Sequence, residues 1–299
     1  MLNQNLNKNS IRNLLTIRYD PSERSLIPKA SYKNFNGVNT DADGLKTKKL
    51  LKNAFLKQIK EPRKPLAISL SSGIDSTLCL SLLRDTFPNS ELIGICGVFE
   101  NGFDESKQAS KIAKKFDAKF KTVKMPSIYQ TMPKLISITK KPKWNAYTHI
   151  IAQEAKKFSD YNVVGDGADE VFGGYNFRYN KFLSLVKPTS SPLDKIQAYL
   201  SCHERDWVPD QEKIFNSKTN FSWKSINSIF EPFFDNSLSP LNQVFLADYN
   251  GKLVYNFSII GNKINKFFNL KPITPILNSK LISYASHIPS ELKYDSVKN

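Results

Sequence analysis

Leu66-Ala67-Ile68-Ser69-Leu70-Ser71-Ser72-Gly73-Ile74-Asp75-Ser76-Thr77 is the stretch from which the fold is read. Leu66 to Leu70 form a short apolar run, the pattern of a strand buried on both faces of a parallel sheet. A Ser/Gly turn follows. Thr77-Leu78-Cys79-Leu80-Ser81-Leu82-Leu83 then reads as a helix with an apolar stripe. Such a turn leaves backbone N–H groups unpaired at a helix N-terminus, where the helix dipole favours anions. Gly73 permits close approach of a phosphate and positive φ if the turn needs it, and Ser71 and Ser76 offer hydroxyls. Asp75 is the odd member, since a carboxylate repels phosphate unless a divalent cation lies between them. Taken alone, the stretch is also compatible with an ordinary strand-to-helix turn.

A second stretch adds to the first. Tyr161-Asn162-Val163-Val164 reads as a buried strand that ends in Gly165-Asp166-Gly167-Ala168-Asp169-Glu170 and runs into Val171-Phe172-Gly173-Gly174-Tyr175. Asp166, Asp169 and Glu170 crowd into five residues, and like charges that close raise each other's pKa unless a cation or donors compensate. A solvated acidic turn is the plainer reading, but it leaves the flanking glycines without a role. A phosphate cradle together with carboxylates suits a nucleotide bound with Mg²⁺.

Working outward, strands and helices alternate. Asp43 is placed to cap a helix over 45–59 whose stripe is Leu51, Phe55 and Ile59. Leu92 to Val98 is a second strand, Asp104 to Phe116 a helix, Phe120 to Val123 a third strand and His149 to Phe158 a helix. This order predicts an α/β fold with a parallel sheet covered on both faces and ligands at the C-terminal ends of the strands. Residues 1–44 read as a polar N-terminal extension, 45–180 as the sheet-bearing core and 181–299 as a mostly helical C-terminal part.

The two motifs, in type, order and spacing, resemble the synthetase domain of the glutamine-hydrolysing asparagine synthetase family, a branch of the PP-loop ATP pyrophosphatases. Phe103-Asp104-Glu105-Ser106, followed by Ala109, Ile112 and Ala113, is similar to that family's stretch after its second strand. The likeness covers roughly residues 45–299. It implies a doubly wound parallel sheet of PP-loop ATP pyrophosphatase type. It also implies a ligase that activates a carboxylate, aspartate or similar, as an acyl-adenylate with loss of pyrophosphate, then aminates it. Its cofactors would be ATP and Mg²⁺. Pyrophosphate would lie on Ser71, Ser72, Gly73 and Ser76, and Mg²⁺ on Asp75 and Asp169. Asp166 and Glu170 would orient the metal shell, the substrate or the amine. Adenosine would lie against main chain at Ser69, Gly97, Val164 and Gly165.

Several residues depart from the family pattern. Ser72 stands where the loop usually has Gly, and serine tolerates positive φ poorly. Leu2 stands where the family's glutaminase nucleophile, a cysteine, follows the initiator Met, so free ammonia or a separate glutaminase subunit is the expected nitrogen source. Thr274-Pro275-Ile276-Leu277-Asn278 and Gly261-Asn262-Lys263 replace segments that shape the acceptor side. Pro289-Ser290-Glu291-Leu292-Lys293 is similar to the segment before the family's C-terminal catalytic lysine, which makes Lys298 its expected counterpart, without the helix that normally anchors it.

Composition narrows the alternatives. Forty per cent hydrophobic residues suffice for a core, yet no apolar run approaches the roughly 20 residues of a membrane span, and no secretory leader is read at the start. Cys79, Cys96 and Cys202 are too few and too scattered for a disulfide framework or a metal pair, which fits a cytoplasmic protein. A net charge of +16 permits a nucleic-acid partner, but the lysines fall in short separate groups without interleaved aromatics, so a solvated surface is the preferred reading. Two alternatives to the amide ligase stay open: a tRNA-modifying PP-loop enzyme and a nucleotide-binding homologue with impaired catalysis.

Overall fold

The structure, a computed structural model, describes residues 7–295 apart from 36, 42, 101, 103, 143–146, 204–210 and 220. In chain order its elements are α1 (Lys8–Thr16), α2 (Leu45–Gln58), β1 (Leu66–Ser69), α3 (Ile74–Thr86), β2 (Leu92–Phe99), α4 (Ser106–Lys115), β3 (Lys119–Met125), α5 (Ile128–Thr139), α6 (Thr148–Lys156), β4 (Tyr161–Val163) and α7 (Ala168–Phe172). There follow α8 (Asn176–Leu185), α9 (Pro192–Ser201), α10 (Gln211–Ile214), α11 (Trp223–Phe234), α12 (Pro240–Asp248), a π-helix (Tyr249–Phe257), α13 (Ser258–Phe267), β5 (Lys271–Ile273), α14 (Ser279–Ser286) and α15 (Ser290–Lys293).

Two compact units are present. The first comprises Asp41–Ala168 and Ile259–Ile282. It holds a wholly parallel sheet in the order β3-β2-β1-β4-β5, the doubly wound arrangement expected from the sequence. From β1 the chain steps outward through β2 to β3, then returns to the other side of β1 for β4. The direction of winding reverses between β1 and β4, and such a reversal opens a crevice beyond the strand ends. Both motifs leave the sheet there.

Strand alternation explains the burial on both faces. Ala67, Ile93 and Ile95 pack with Leu135, Ile151 and Ile264 in one core, while Leu66 and Ile68 point the other way and are also fully buried. The edges are protected. Lys119, Lys121 and Lys124 line the exposed side of β3, and β5 carries Pro272, which has no N–H to leave unpaired. The helix expected over 45–59 forms as α2, with Leu51, Phe55 and Ile59 buried. Its cap differs from the reading: Gly44 occupies the N-cap at φ 68°, and Asp41 accepts the N–H groups of Lys46 and Thr47, leaving Asp43 only that of Leu45.

Within the part read as mostly helical, residues 259–282 belong to the sheet-bearing unit. They supply α13 and β5, which pairs with β4 at Tyr161↔Lys271 and Val163↔Ile273. A buried amide pair ties α13 to β4. Asn162 Nδ2 donates to Asn265 Oδ1 at 3.0 Å, and Asn265 Nδ2 donates to the Gly261 carbonyl at 2.7 Å.

The second unit comprises Met1–Thr40, Asp169–Ser258 and Ser283–Asn299 and is helical among its described residues. Tyr179, Phe182, Phe230, Phe234 and Phe245 fill its centre. The N-terminal extension is packed here rather than trailing. Tyr19 stacks on Tyr255 at 5.9 Å, Ala30 and Asn250 exchange two hydrogen bonds, and Tyr249 Oη donates to the Pro28 carbonyl. Among the described residues no helix is long and apolar enough to cross a membrane.

Replacing Asn265 by Ala strands a buried amide donor on β4. We expect a stability loss of about 1–3 kcal/mol in chemical denaturation, with Asn265→Asp recovering part of it as an acceptor. A loss below about 0.5 kcal/mol would show that the pair does not couple α13 to the sheet.

Candidate functional site

In the first unit the site is built from the ends of three adjacent strands. Ser69 closes β1, Gly97 lies near the end of β2, and Val164 and Gly165 leave β4. The sheet continues briefly past β4, where Val164 N–H donates to the Ile273 carbonyl. Gly165 is required by its neighbours: a Cβ there would lie 3.1 Å from the Asp75 carbonyl carbon and 3.3 Å from the Ser76 nitrogen, both rigid backbone. The β4 exit therefore touches the first turn of α3, and the structure brings Asp75, Gly165 and Ser76 together.

The serine loop closes on itself. Ser71 N–H donates to Ser76 Oγ at 3.1 Å, the two hydroxyls lie 2.9 Å apart, and Gly73 N–H donates to Ser71 Oγ at 3.1 Å. The turn does not need positive φ at Gly73, whose φ is −71°. What it supplies is space, because a Cβ would stand 3.1 Å from Ser71 Oγ. Ser72 is likewise absent from the positive-φ residues, so serine in place of glycine brings no backbone strain. Its donors leave the loop: Ser72 N–H and Oγ both point to Glu105 Oε2, at 2.8 and 2.9 Å. Glu105 carried no site role in the sequence reading. Its partner lies 33 residues away, and only the fold brings them together.

Asp166 follows on the same unit. Atoms crowd around its carboxyl, and burial pushes its pKa up to about 6. Beneath the loop, burial pushes the Cys79 thiol up to about 12, with Asp75 and Asp166 adding to the effect, so it is no nucleophile at neutral pH.

In the second unit Asp169 and Glu170 occupy the first turn of the short α7. The glycines after them now have a reason. Gly173 adopts φ 82°, and a Cβ there would press on the Phe245 ring and the Lys293 carbonyl at 3.2 Å. A Cβ on Gly174 would collide with the Asp169 carboxylate. Burial raises the Asp169 pKa, although Arg178 and Lys252 oppose it. Glu170 is buried and accepts a hydrogen bond of 2.5 Å from Tyr175 Oη. Burial lifts its pKa to about 7, against the lowering effect of that bond. Arg178 and Lys252 both stand over the Tyr175 ring, at 4.2 and 5.5 Å.

Lys298 lies outside the described residues. Lys293, which the sequence reading passed over, sits with its ammonium over the rings of Phe245 and Phe35, at 5.2 and 5.8 Å, and burial brings its pKa down to about 7. Among the described residues no three His, Cys, Asp or Glu side chains form a metal-binding group. Mg²⁺ fits such a donor set only in its usual manner, with one or two carboxylates and the remaining ligands from phosphate and water. Asp75, in the first turn of α3, and Asp169, in the first turn of α7, are each oxygen donors of that kind.

The asparagine synthase family matches residues 46–298. The chain belongs to the asparagine synthase family. It is 26% identical over 298 residues to asparagine synthetase [glutamine-hydrolyzing] 1 of Bacillus subtilis (strain 168), in an alignment covering 87% of this chain and 46% of that protein. The chain thus spans less than half the length of this curated relative. Solved structures that align with it include the NH3-dependent NAD synthetase from Campylobacter jejuni, at 10% identity and TM-score 0.33, over 67% of this chain and 99% of that one. The U34-tRNA thiolase NcsA from Methanococcus maripaludis aligns at 16% identity and TM-score 0.34, over 70% and 78%. NMN synthetase from Francisella tularensis aligns at 16% and 0.34, over 73% and 100%.

The raised acid of this asparagine synthase family member has a measurable consequence. A carboxyl whose pKa rises on folding, here from 4.5 to about 7, destabilises the fold above the folded value, and the penalty vanishes below the unfolded one. Glu170→Gln keeps an acceptor for Tyr175 and removes the charge. We expect it to stabilise the protein by roughly 1–3 kcal/mol at pH 8, with the gain fading as pH falls through 7 and gone by pH 4. Thermal unfolding across this range checks it, and a gain that does not change with pH would contradict the assignment.

Proposed function

We propose that this chain is an ATP-dependent, amide-forming ligase of the asparagine synthetase kind, acting on a small carboxylic acid. The observation that carries the reading is the pair of donors on Ser72 converging on one anionic oxygen, in a loop at the C-terminal end of a central parallel strand. Membership of the asparagine synthase family supports the rest.

In this reading a carboxylate oxygen of the acid attacks the α-phosphorus of ATP. The bond from that phosphorus to the bridging oxygen breaks, and pyrophosphate leaves with the electron pair. Ser71, Ser72, Gly73 and Ser76 receive the pyrophosphate, and donors placed where charge develops lower the barrier. Adenosine rests against main chain at Ser69, Gly97, Val164 and Gly165. Asp75 and Asp169 would hold Mg²⁺, which when bound would offset the charge of the phosphates. Ammonia then attacks the acyl carbon, the carbon–oxygen bond to AMP breaks, and nitrogen loses a proton. Glu170, with a pKa near 7 and its hydrogen bond from Tyr175, is matched to accept that proton at neutral pH. Asp166 orients the acceptor side, and Lys298 remains the candidate for the C-terminal lysine. The nitrogen comes from free ammonia or from a separate glutaminase.

Asparagine synthetase-like activation makes two measurements decisive. Mg-ATP should raise the thermal midpoint of the wild type by several degrees, as ligand well above its Kd does, and Asp75→Asn or Asp169→Asn should abolish the shift. ATP–pyrophosphate exchange should appear only with an added carboxylic acid, and a screen of amino acids identifies which. No midpoint shift with the wild type would sink the reading. A shift without exchange for any acid would favour a nucleotide-binding homologue, a reading motivated by Gly261-Asn262-Lys263 and Thr274–Asn278 in place of the acceptor segments. Exchange without any acid, or tRNA retained on the purified protein, would favour a tRNA-modifying enzyme.

A further inference from the structure

Glu105 is free to serve the serine loop because its neighbour does the capping. At the start of α4, Asp104 Oδ1 accepts the N–H of Ser106 at 2.9 Å, so the Glu105 side chain is not needed at the helix end. It reaches instead to Ser72, where the backbone N–H and the hydroxyl both donate to one oxygen, Oε2. Two neighbouring donors are occupied within the loop: Ser71 N–H by Ser76 Oγ, and Gly73 N–H by Ser71 Oγ. Ser72 is therefore the point at which the loop offers donors outward, and the Glu105 carboxylate oxygen stands there as a phosphate oxygen would. Glycine at position 72 would supply only the N–H. Serine doubles the contact.

We propose that Glu105 is the affinity-determining residue of the pyrophosphate site, an internal anion that holds the Ser72 donors until a polyphosphate displaces it. The inference rests on the amide-ligase reading of the loop. Its physical basis is competition for two hydrogen bonds by groups of the same charge. A loop competent only in the fraction of molecules where the internal contact is open binds ligand more weakly by that fraction. A singly charged anion gains little by exchanging with a carboxylate already in place. Pyrophosphate, with more oxygens, gains as well from the N–H groups of the first turn of α3, which have no acceptor within the helix. Glu105 in this role discriminates among anions, and it keeps the half-buried donors of Ser72 satisfied when no ligand is present.

Isothermal calorimetry with inorganic pyrophosphate and MgCl₂ tests this on the full chain. Glu105→Gln removes the charge at constant shape, and Glu105→Ala removes the competitor. Both should bind pyrophosphate more tightly than the wild type, by about tenfold, equivalent to about 1.4 kcal/mol. Thermal midpoints without ligand accompany each titration. Affinity that is unchanged or weaker in both variants, whether or not the midpoint falls, would make Glu105 a strut of the loop and overturn the proposal while leaving the ligase reading intact. Failure of the wild type and both variants to bind pyrophosphate would overturn the ligase reading and this inference together.

Discussion

Everything at the site depends on where the chain between β1 and α3 places its backbone donors. The strand ends in the middle of a parallel sheet, and the helix begins with N–H groups that have no partner within it. Serine hydroxyls satisfy those of Ser71 and Gly73, and a carboxylate satisfies Ser72. Ser71 and Ser72 are half-buried, and a donor left unmade away from water costs more than a made one gains, so their partners are constrained. Gly165 extends the constraint to β4, because only a residue without Cβ lets that strand exit against Asp75.

The acidic stretch obeys a related rule with the opposite sign. Asp166, Asp169 and Glu170 are raised chiefly by burial, with the Asp248 and Asp169 charges adding smaller contributions at Glu170. Loss of water is the larger effect, and it acts on each carboxyl separately. The glycines at 173 and 174 make that burial possible, since the turn brings backbone and the Phe245 ring within contact distance of where a side chain would stand. The fold thus holds its acids at a cost to stability, which is the usual mark of groups retained for chemistry.

What the sequence revealed followed from how local each signal was. The strand, loop and helix at 66–86 are contiguous, and their apolar runs and Ser/Gly turn announce themselves without any distant partner. The stripe of Leu51, Phe55 and Ile59 was legible for the same reason. β5 was not, because three residues including Pro272 carry no periodicity, and its place beside β4 is set by the pairing itself. Nor was the role of residues 259–282 in the first unit, which depends on the Asn162–Asn265 contact across 103 positions. α5 was passed over because Pro133 interrupts its pattern, although Ser127 and Gln130 form a capping box at its start. Glu105 was hidden by sequence distance, and the harmless backbone of Ser72 could not be judged without its φ.

Loop and acids make opposite demands on their surroundings. The loop holds donors that require negative charge, and burial makes negative charge expensive to keep without compensation. On the proposed reading, a nucleotide carrying its cation would supply phosphate oxygens for the donors and positive charge for carboxylates. The Ser72 donors meet the Glu105 carboxylate, and burial lifts Asp166 and Glu170 toward neutrality. On the proposed reading, binding would exchange one set of charges for another.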